Sequence, residues 1–290
     1  MKIAVLLTSF NRRNKTLGCL KSLKNQLLDD AVLEIFLTDD NSSDGTAKAV
    51  KEKFPDVHVL NGTGSLFWAG GMRHTWKRAL GSNPDYFLLV NDDTILADDA
   101  VKRLIACAMS LDKPVICVGS TSDAKSGEIS YGGRKLKDKI GPRSYLVYSN
   151  KEVVECDLGN ANIMLVPAPI VQRIGILSKE FTHGIADYDY TLRAKKAGYS
   201  VVVAPGILGY CTDDHGKNWK PQSSTFSERV AYLYSPKGLA YKEYILFIRR
   251  HFSLHLPAAV LKLWLKTIFP WVYEVFKKPK KNQEISNLNC

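Results

Sequence analysis

Three acidic clusters, each placed where an apolar or mixed run stops, carry the chemistry this chain can offer. Asn91-Asp92-Asp93-Thr94 follows the apolar run Tyr86-Phe87-Leu88-Leu89-Val90. Hard oxygen ligands on such a turn suit magnesium or manganese carrying a diphosphate. A plain turn with a helix cap accounts for the same residue types. A phosphatase-type nucleophile loop does not fit, because Asn91 stands where the nucleophilic carboxylate would be and cannot form an acyl phosphate. The second cluster, Thr38-Asp39-Asp40-Asn41-Ser42-Ser43-Asp44-Gly45-Thr46, opens a polar turn after Leu33 to Leu37. Asp44 serves as a helix cap there, but a turn and a cap do not require the two further carboxylates, and a strand-end carboxylate can accept a hydrogen bond from the imide N–H of a base. The third, Asp187-Tyr188-Asp189-Tyr190-Thr191-Leu192-Arg193, reads as the start of a helix, with Asp187 near its dipole and Asp189 paired to Arg193 at i,i+4.

Two further segments hold side chains able to touch a ligand. In Asn61 to Arg73, glycines permit close backbone approach, Trp68 can stack on a sugar face, and Arg73 can meet a phosphate. The glycines at 62, 64, 70 and 71 match neither the spacing nor the position of a dinucleotide fingerprint. The polar run Asp213 to Trp219 contains His215, whose neutral imidazole is a competent metal ligand beside oxygen donors.

The elements that must position these groups follow from periodicity. Ile3 to Thr8, Leu33 to Thr38, Val57 to Leu60 and Tyr86 to Asn91 read as strands, with helices near Arg13 to Gln26, Asp44 to Phe54 and Gly71 to Leu80 between them. This alternation predicts an α/β fold with a Rossmann-like, mostly parallel sheet, whose carboxyl strand ends form one ligand crevice. A helix at Asp98 to Met109, loops or a hairpin from Ser120 to Arg143, a strand at Asn162 to Val166, a helix at Asp187 to Ala197 and a strand at Ser200 to Ala204 follow. Six cysteines without a CxxC pair point to reduced thiols, and the amino terminus lacks the features of a signal peptide, so a cytoplasmic protein is expected.

The formal charge of +11 is concentrated at the carboxyl end, where residues 236–290 carry ten Lys and Arg against three Glu. From Phe252 to Lys281 these basic residues are mixed with Leu, Trp and Phe. Lys262, Lys266, Pro257 and Pro270 break up any membrane-spanning run. The pattern suits a helix lying in the headgroup region of an anionic membrane, at the inner face of the plasma membrane. A helix packed on the preceding domain, or a contact in a homodimer, satisfies the same pattern. No nucleic-acid motif accompanies the charge, so a nucleic-acid partner is not expected.

Thr8-Ser9-Phe10-Asn11-Arg12, TDDNSSDGT at 38–46 and NDDT at 91–94, in that order, resemble the motifs of family-two glycosyltransferases with a GT-A nucleotide-diphospho-sugar transferase fold. The resemblance divides the chain into a catalytic domain at 1–225, with a nucleotide-binding half at 1–100 and an acceptor half at 101–225, and a helical tail at 226–290. It implies a nucleotide pocket of Thr8, Ser9, Asn11, Arg12, Asp39, Arg73 and Asp92, with Asp39 on the base. It also implies a magnesium or manganese site at Asp93 and Asn91, completed by His215. Ala186-Asp187-Tyr188-Asp189 to Arg193 resembles the family's EDxDxxxR segment, which makes Asp187 the general base of an inverting transfer. Trp68, Asn160 and Trp219 are the expected acceptor contacts. Members of the rhamnosyltransferase-like and galactofuranosyltransferase-like branches imply a dTDP- or UDP-sugar donor and a saccharide or lipid-linked acceptor in bacterial surface polysaccharide assembly, such as O-antigen or capsule. Asn91 and Ala186 stand where the family usually has acids, so a catalytically degenerate domain that binds nucleotide or glycan is the rival reading.

Overall fold

The structure is a computed structural model, and it describes residues 1–212, 224–271 and 286–287. The amino-terminal half alternates as expected: β1 (Lys2–Ser9), α1 (Arg13–Lys24), β2 (Val32–Asp39), α2 (Thr46–Lys53), β3 (His58–Asn61), α3 (Phe67–Leu80), β4 (Tyr86–Val90), β5 (Ile95–Leu96) and α4 (Ala100–Met109). Then come β6 (Val115–Ser122), β7 (Ile129–Tyr131), β8 (Gly133–Leu136), β9 (Ser144–Tyr148), β10 (Val154–Cys156), β11 (Leu158–Gly159), β12 (Ile163–Pro167), α5 (Ala168–Ile174), α6 (Ala186–Lys196) and β13 (Ser200–Tyr210). Three helices follow: α7 (Phe226–Tyr234), α8 (Tyr241–His251) and α9 (Leu256–Ile268).

Among the described residues the main sheet runs β10-β13-β6-β12-β4-β1-β2-β3, with β5 added to β13 and β7 to β6. Strands β3, β2, β1 and β4 are mutually parallel, in the register Leu6↔Phe36 and Leu6↔Leu89 around the central strand. β12 runs antiparallel to both β4 and β6, so its first residues lie at the edge where β4 ends. A second, smaller sheet runs β11-β8-β9 antiparallel, with β14 (Ser286–Asn287) added parallel to β9; β7 and β8 fall within Ser120 to Arg143, where the sequence predicts loops or a hairpin.

Helices cover both faces, which is why β1 reads as an unbroken apolar run. The two-residue period divides that run between two cores. Ala4 and Leu6 join Phe36, Phe87, Met72 and Trp76 on one face, while Ile3, Val5 and Leu7 join Leu20, Leu23, Val101 and Leu104 on the other.

Two elements extend beyond their expected bounds. α3 begins at Phe67 rather than Gly71, taking Gly70 and Gly71 into its first turns. The glycines are needed there for packing: a Cβ on Gly71 would lie 2.0 Å from Thr8 Oγ1, so the helix rests directly on the end of β1. β13 continues past Pro205 to Tyr210 through an irregularity at Gly206, where φ is +72° and the pairing with β6 shifts register. The Arg103 guanidinium steadies this bulge by donating to the Pro205 and Ile207 carbonyls.

α8 and α9 are seated on the same core as α6, through Phe247, Ile248, Phe252 and Ala259. Among the described residues no helix is long and apolar enough to cross a membrane.

Candidate active site

The carboxyl ends of β1 and β4, the start of β12 and the first turn of α6 surround a cleft of about 430 Å³. Thr8, Ser9, Arg12, Asn91, Asp92, Asp93, Trp68, Asn160 and Asp187 all line it, so residues separated by up to 179 positions meet in one hollow. The arrangement follows from topology: parallel strands deliver their polar ends to one edge, and the reversed strand β12 brings Asn160, Ala161 and Asn162 to the same place.

The acidic turn after β4 is closely held. Asp92 is buried, accepts a 3.3 Å hydrogen bond from Thr16 Oγ1, and lies 3.3 Å from Arg12 Nη1. Burial raises its pKa above the usual carboxylate value, while the Arg12 charge acts against that shift. Asp93 faces the cleft, with Arg12 Nη1 at 2.9 Å and Lys15 Nζ at 3.5 Å from its Oδ2. Asn91 accepts a 2.8 Å hydrogen bond from Trp68 Nε1, so the indole and the first residue of the turn orient each other.

Opposite this turn, Asp187 lies half-buried in the first turn of α6. Its Oδ2 accepts from the Ala161 amide at 3.2 Å and its Oδ1 from the Tyr188 amide at 2.9 Å. Burial nevertheless raises its pKa, which brings a carboxylate closer to the range useful for accepting a proton. The same burial pushes the neighbouring Tyr188 hydroxyl up to about 12.

Other expected site residues are placed elsewhere. Arg73 is not among the residues lining the cleft; its Nη1 donates to the Ser178 and Phe181 carbonyls. Asn11 uses its side-chain oxygen to accept from the Ser43 amide, joining the turns after β1 and β2. Asp39 is buried at the end of β2, where Oδ2 accepts from the Ser42 amide and Oδ1 has no partner. His215 and Trp219 lie outside the described residues.

Two further residues contribute to the cleft: Asp40, which the sequence marks as a carboxylate beyond the needs of a turn, and Cys211, which it does not mark. Asp40 lines the cleft and accepts from the Gly64 and Leu66 amides, pinning the loop into α3. A Cβ at Gly62 would come within 2.8 Å of the Asp40 backbone, a close approach of the kind the glycines of this segment are expected to permit. Cys211, just past β13, receives a hydrogen bond from Asn162 Nδ2 and lies 3.6 Å from Asp93 Oδ1. Burial and the Asp93 charge push its thiol up to about 12, so it stays neutral, and no residue pattern announces it.

A search of curated protein sequences returns no match. Among solved structures, the fold is similar to that of the mannosyltransferase PcManGT from Pyrobaculum calidifontis in complex with GDP-Man and Mn2+. That match has 15% identity and a TM-score of 0.52, over 94% of this chain and 72% of that one. It is also similar to S. aureus TarS 1-349 in complex with UDP-GlcNAc, at 17% identity and a TM-score of 0.56, over 95% of this chain and 82% of that one. The fold is thus that of GT-A glycosyltransferases, a mostly parallel sheet flanked by helices with a helical carboxyl-terminal part. The family model for glycosyl transferase family 2 matches residues 4–154, just over half of the chain, a span that includes every strand-end cluster from Thr8 to Asp93, and the chain belongs to that family.

Proposed function

We propose that the protein is an inverting glycosyltransferase that moves a sugar from a dTDP- or UDP-sugar to a saccharide or lipid-linked acceptor. One observation carries this reading: Asp93 and Asp187, from distant segments, face the same cleft. In the transfer, Asp187 accepts the proton of the acceptor hydroxyl as that oxygen attacks the anomeric carbon. The bond from that carbon to the diphosphate oxygen breaks on the opposite face, and the nucleoside diphosphate departs with the electron pair. A single displacement of this kind inverts the anomeric centre. Asp40 lines the cleft, and the unpaired, buried Oδ1 of the adjacent Asp39 is the acceptor atom assigned to a base imide N–H. Arg12 and Lys15 provide positive charge beside the departing diphosphate.

A divalent metal suits this site by the chemistry of its donors. The Asp93 carboxylate is a hard oxygen ligand facing the cleft. Asp93 would hold the metal there together with diphosphate oxygens, in exchange for its ion pairs with Arg12 and Lys15; Asn91 has its side-chain oxygen engaged by Trp68. Bound there, magnesium or manganese offsets the charge of the diphosphate.

The α9 helix supports a membrane partner. Leu261, Leu265 and Ile268 share one exposed face, opposite the buried Ala259, Leu263 and Thr267, and Lys262 lies on the flank between them. Leu254 and Trp271 extend the apolar surface, with 82% and 62% of their area exposed. Such a face fits an anionic bilayer surface, where a lipid-linked acceptor would be met.

Calorimetry of UDP and dTDP with and without manganese, followed by nucleotide release from a panel of UDP- and dTDP-sugars, tests the reading. Manganese-dependent binding with release of the nucleoside diphosphate is expected. Binding without release from any donor would instead establish a catalytically degenerate nucleotide-binding domain.

A further inference from the structure

The connection between α5 and α6 carries the Asp187 wall of the cleft, and an unusual number of charged side chains hold it. Arg193 donates to the Ile174 and Ile176 carbonyls at 2.7 and 2.8 Å. Arg73 donates to the carbonyls of Ser178 and Phe181, and the Ala69 amide donates to the Thr182 carbonyl. From the carboxyl-terminal part, Glu243 in the first turn of α8 accepts from both the amide and the hydroxyl of Thr182. At the other end of α8, Arg250 Nη1 donates to Ser178 Oγ at 2.9 Å and to Asp189 Oδ1 at 2.8 Å, and His251 Nε2 lies 2.8 Å from the same Asp189 oxygen. Asp189 is wholly buried and accepts as well from Ser178 Oγ and Arg193 Nε.

Between these two attachments hangs the segment His183-Gly184-Ile185, which lines the cleft and leads into Asp187. Ile185 is left-handed at φ +58°, a conformation that a β-branched residue keeps only when its surroundings impose it. Thr182 is fixed on one side and Asp189 on the other, so the strained residue and the carboxylate after it have no freedom to relax. The staples from α8 come from residues 61 to 72 positions after those they hold.

We propose that α8 is a positioning element of the active site, in which Glu243, Arg250 and His251 hold the 182–189 segment so that Asp187 meets the acceptor hydroxyl in a productive orientation. This rests on the reading of Asp187 as the base. The carboxyl-terminal helices therefore do two jobs: the exposed face of α9 meets the membrane, and α8 sets the geometry of the transfer.

The test uses the full chain with Glu243→Gln, Arg250→Gln and the conservative Arg250→Lys. It combines UDP affinity by calorimetry, the rate of UDP release from the most active UDP-sugar of the panel, and amide hydrogen exchange resolved by segment. Glu243→Gln leaves the buried Asp189 cluster intact, so it remains informative if an Arg250 variant folds poorly. For Glu243→Gln and Arg250→Gln, we expect kcat to fall at least tenfold with KM for the donor and UDP affinity within twofold of the parent. Exchange should quicken at least tenfold over residues 183–190 with β1 and β4 unchanged, and Arg250→Lys should recover most of the rate. Unchanged exchange at 183–190 with kcat within twofold overturns the proposal, as does a uniform rise in exchange accompanied by parallel loss of UDP binding. If the parent protein releases UDP from no donor, the catalytic reading falls, and exchange at 183–190 alone decides whether α8 holds this wall.

Discussion

Replacing Asp187 by Asn isolates the proton-accepting role from every other property of the cleft. A positioned general base contributes about 10² to 10⁴ in rate, so its loss raises the barrier by about 3–5 kcal/mol. The fold should tolerate the change. Asp187 accepts from the Ala161 and Tyr188 amides, one on each oxygen, and from the Asn160 side chain. An amide side chain keeps one of the two backbone bonds and turns an N–H toward the other, at a cost of about 1 kcal/mol. An opposing effect acts through protonation. Burial makes the native Asp187 hold its proton more tightly than the unfolded chain does, so ionising it costs the native state more, and stability falls as pH rises through that window. Asn has no charge to bury and escapes that loss, so near neutral pH the two effects offset and the melting temperature should move by only a few degrees. Turnover of the parent should rise with pH along a limb set above the ordinary carboxylate range, because Asp187 acts deprotonated and its pKa is raised. The assay is UDP release across pH together with calorimetric UDP affinity. Turnover within tenfold of the parent, or UDP binding lost in step with turnover, would show that Asp187 is not the base.

Three other perturbations probe the positioning of the site. Gly71→Ala places a methyl group 2.0 Å from Thr8 Oγ1, and should cost about 1–3 kcal/mol in urea unfolding and weaken UDP binding, since α3 must lift from the end of β1; an unchanged midpoint would refute this packing. Arg12→Gln removes a positive charge 2.9 Å from Asp93, so manganese alone should bind more tightly and UDP without metal more weakly, and calorimetric shifts of the same sign would contradict the assignment. Leu261→Asp with Leu265→Asp should abolish flotation with anionic vesicles while leaving UDP release from a soluble donor within twofold, and retained flotation would remove the membrane from the account.

Local features of the sequence determined the architecture and the address of the site. Apolar runs such as Ile3 to Leu7 and Phe87 to Val90, each ending in polar residues, are enough to place parallel strands whose ends meet, because burial and hydrogen bonding constrain each run by itself. The resemblance of the ordered motifs to those of family-two glycosyltransferases brought Thr8, Ser9, Asp92, Asp93 and Asp187 into view as one group, and all five line the cleft. Packing between distant elements decided the rest. Of Asp39 and Asp40 it is Asp40 that lines the cleft, beside the close approach of Gly62, and Arg73 turns to the Ser178 and Phe181 carbonyls, 105 and 108 positions away. The i,i+4 pairing of Asp189 with Arg193 was legible, but its further bonds to Arg250 and His251 were not. A helix records its own neighbours in the spacing of its residues; which side chain from another helix will enter its buried face is set only when the two surfaces close on each other and exclude water.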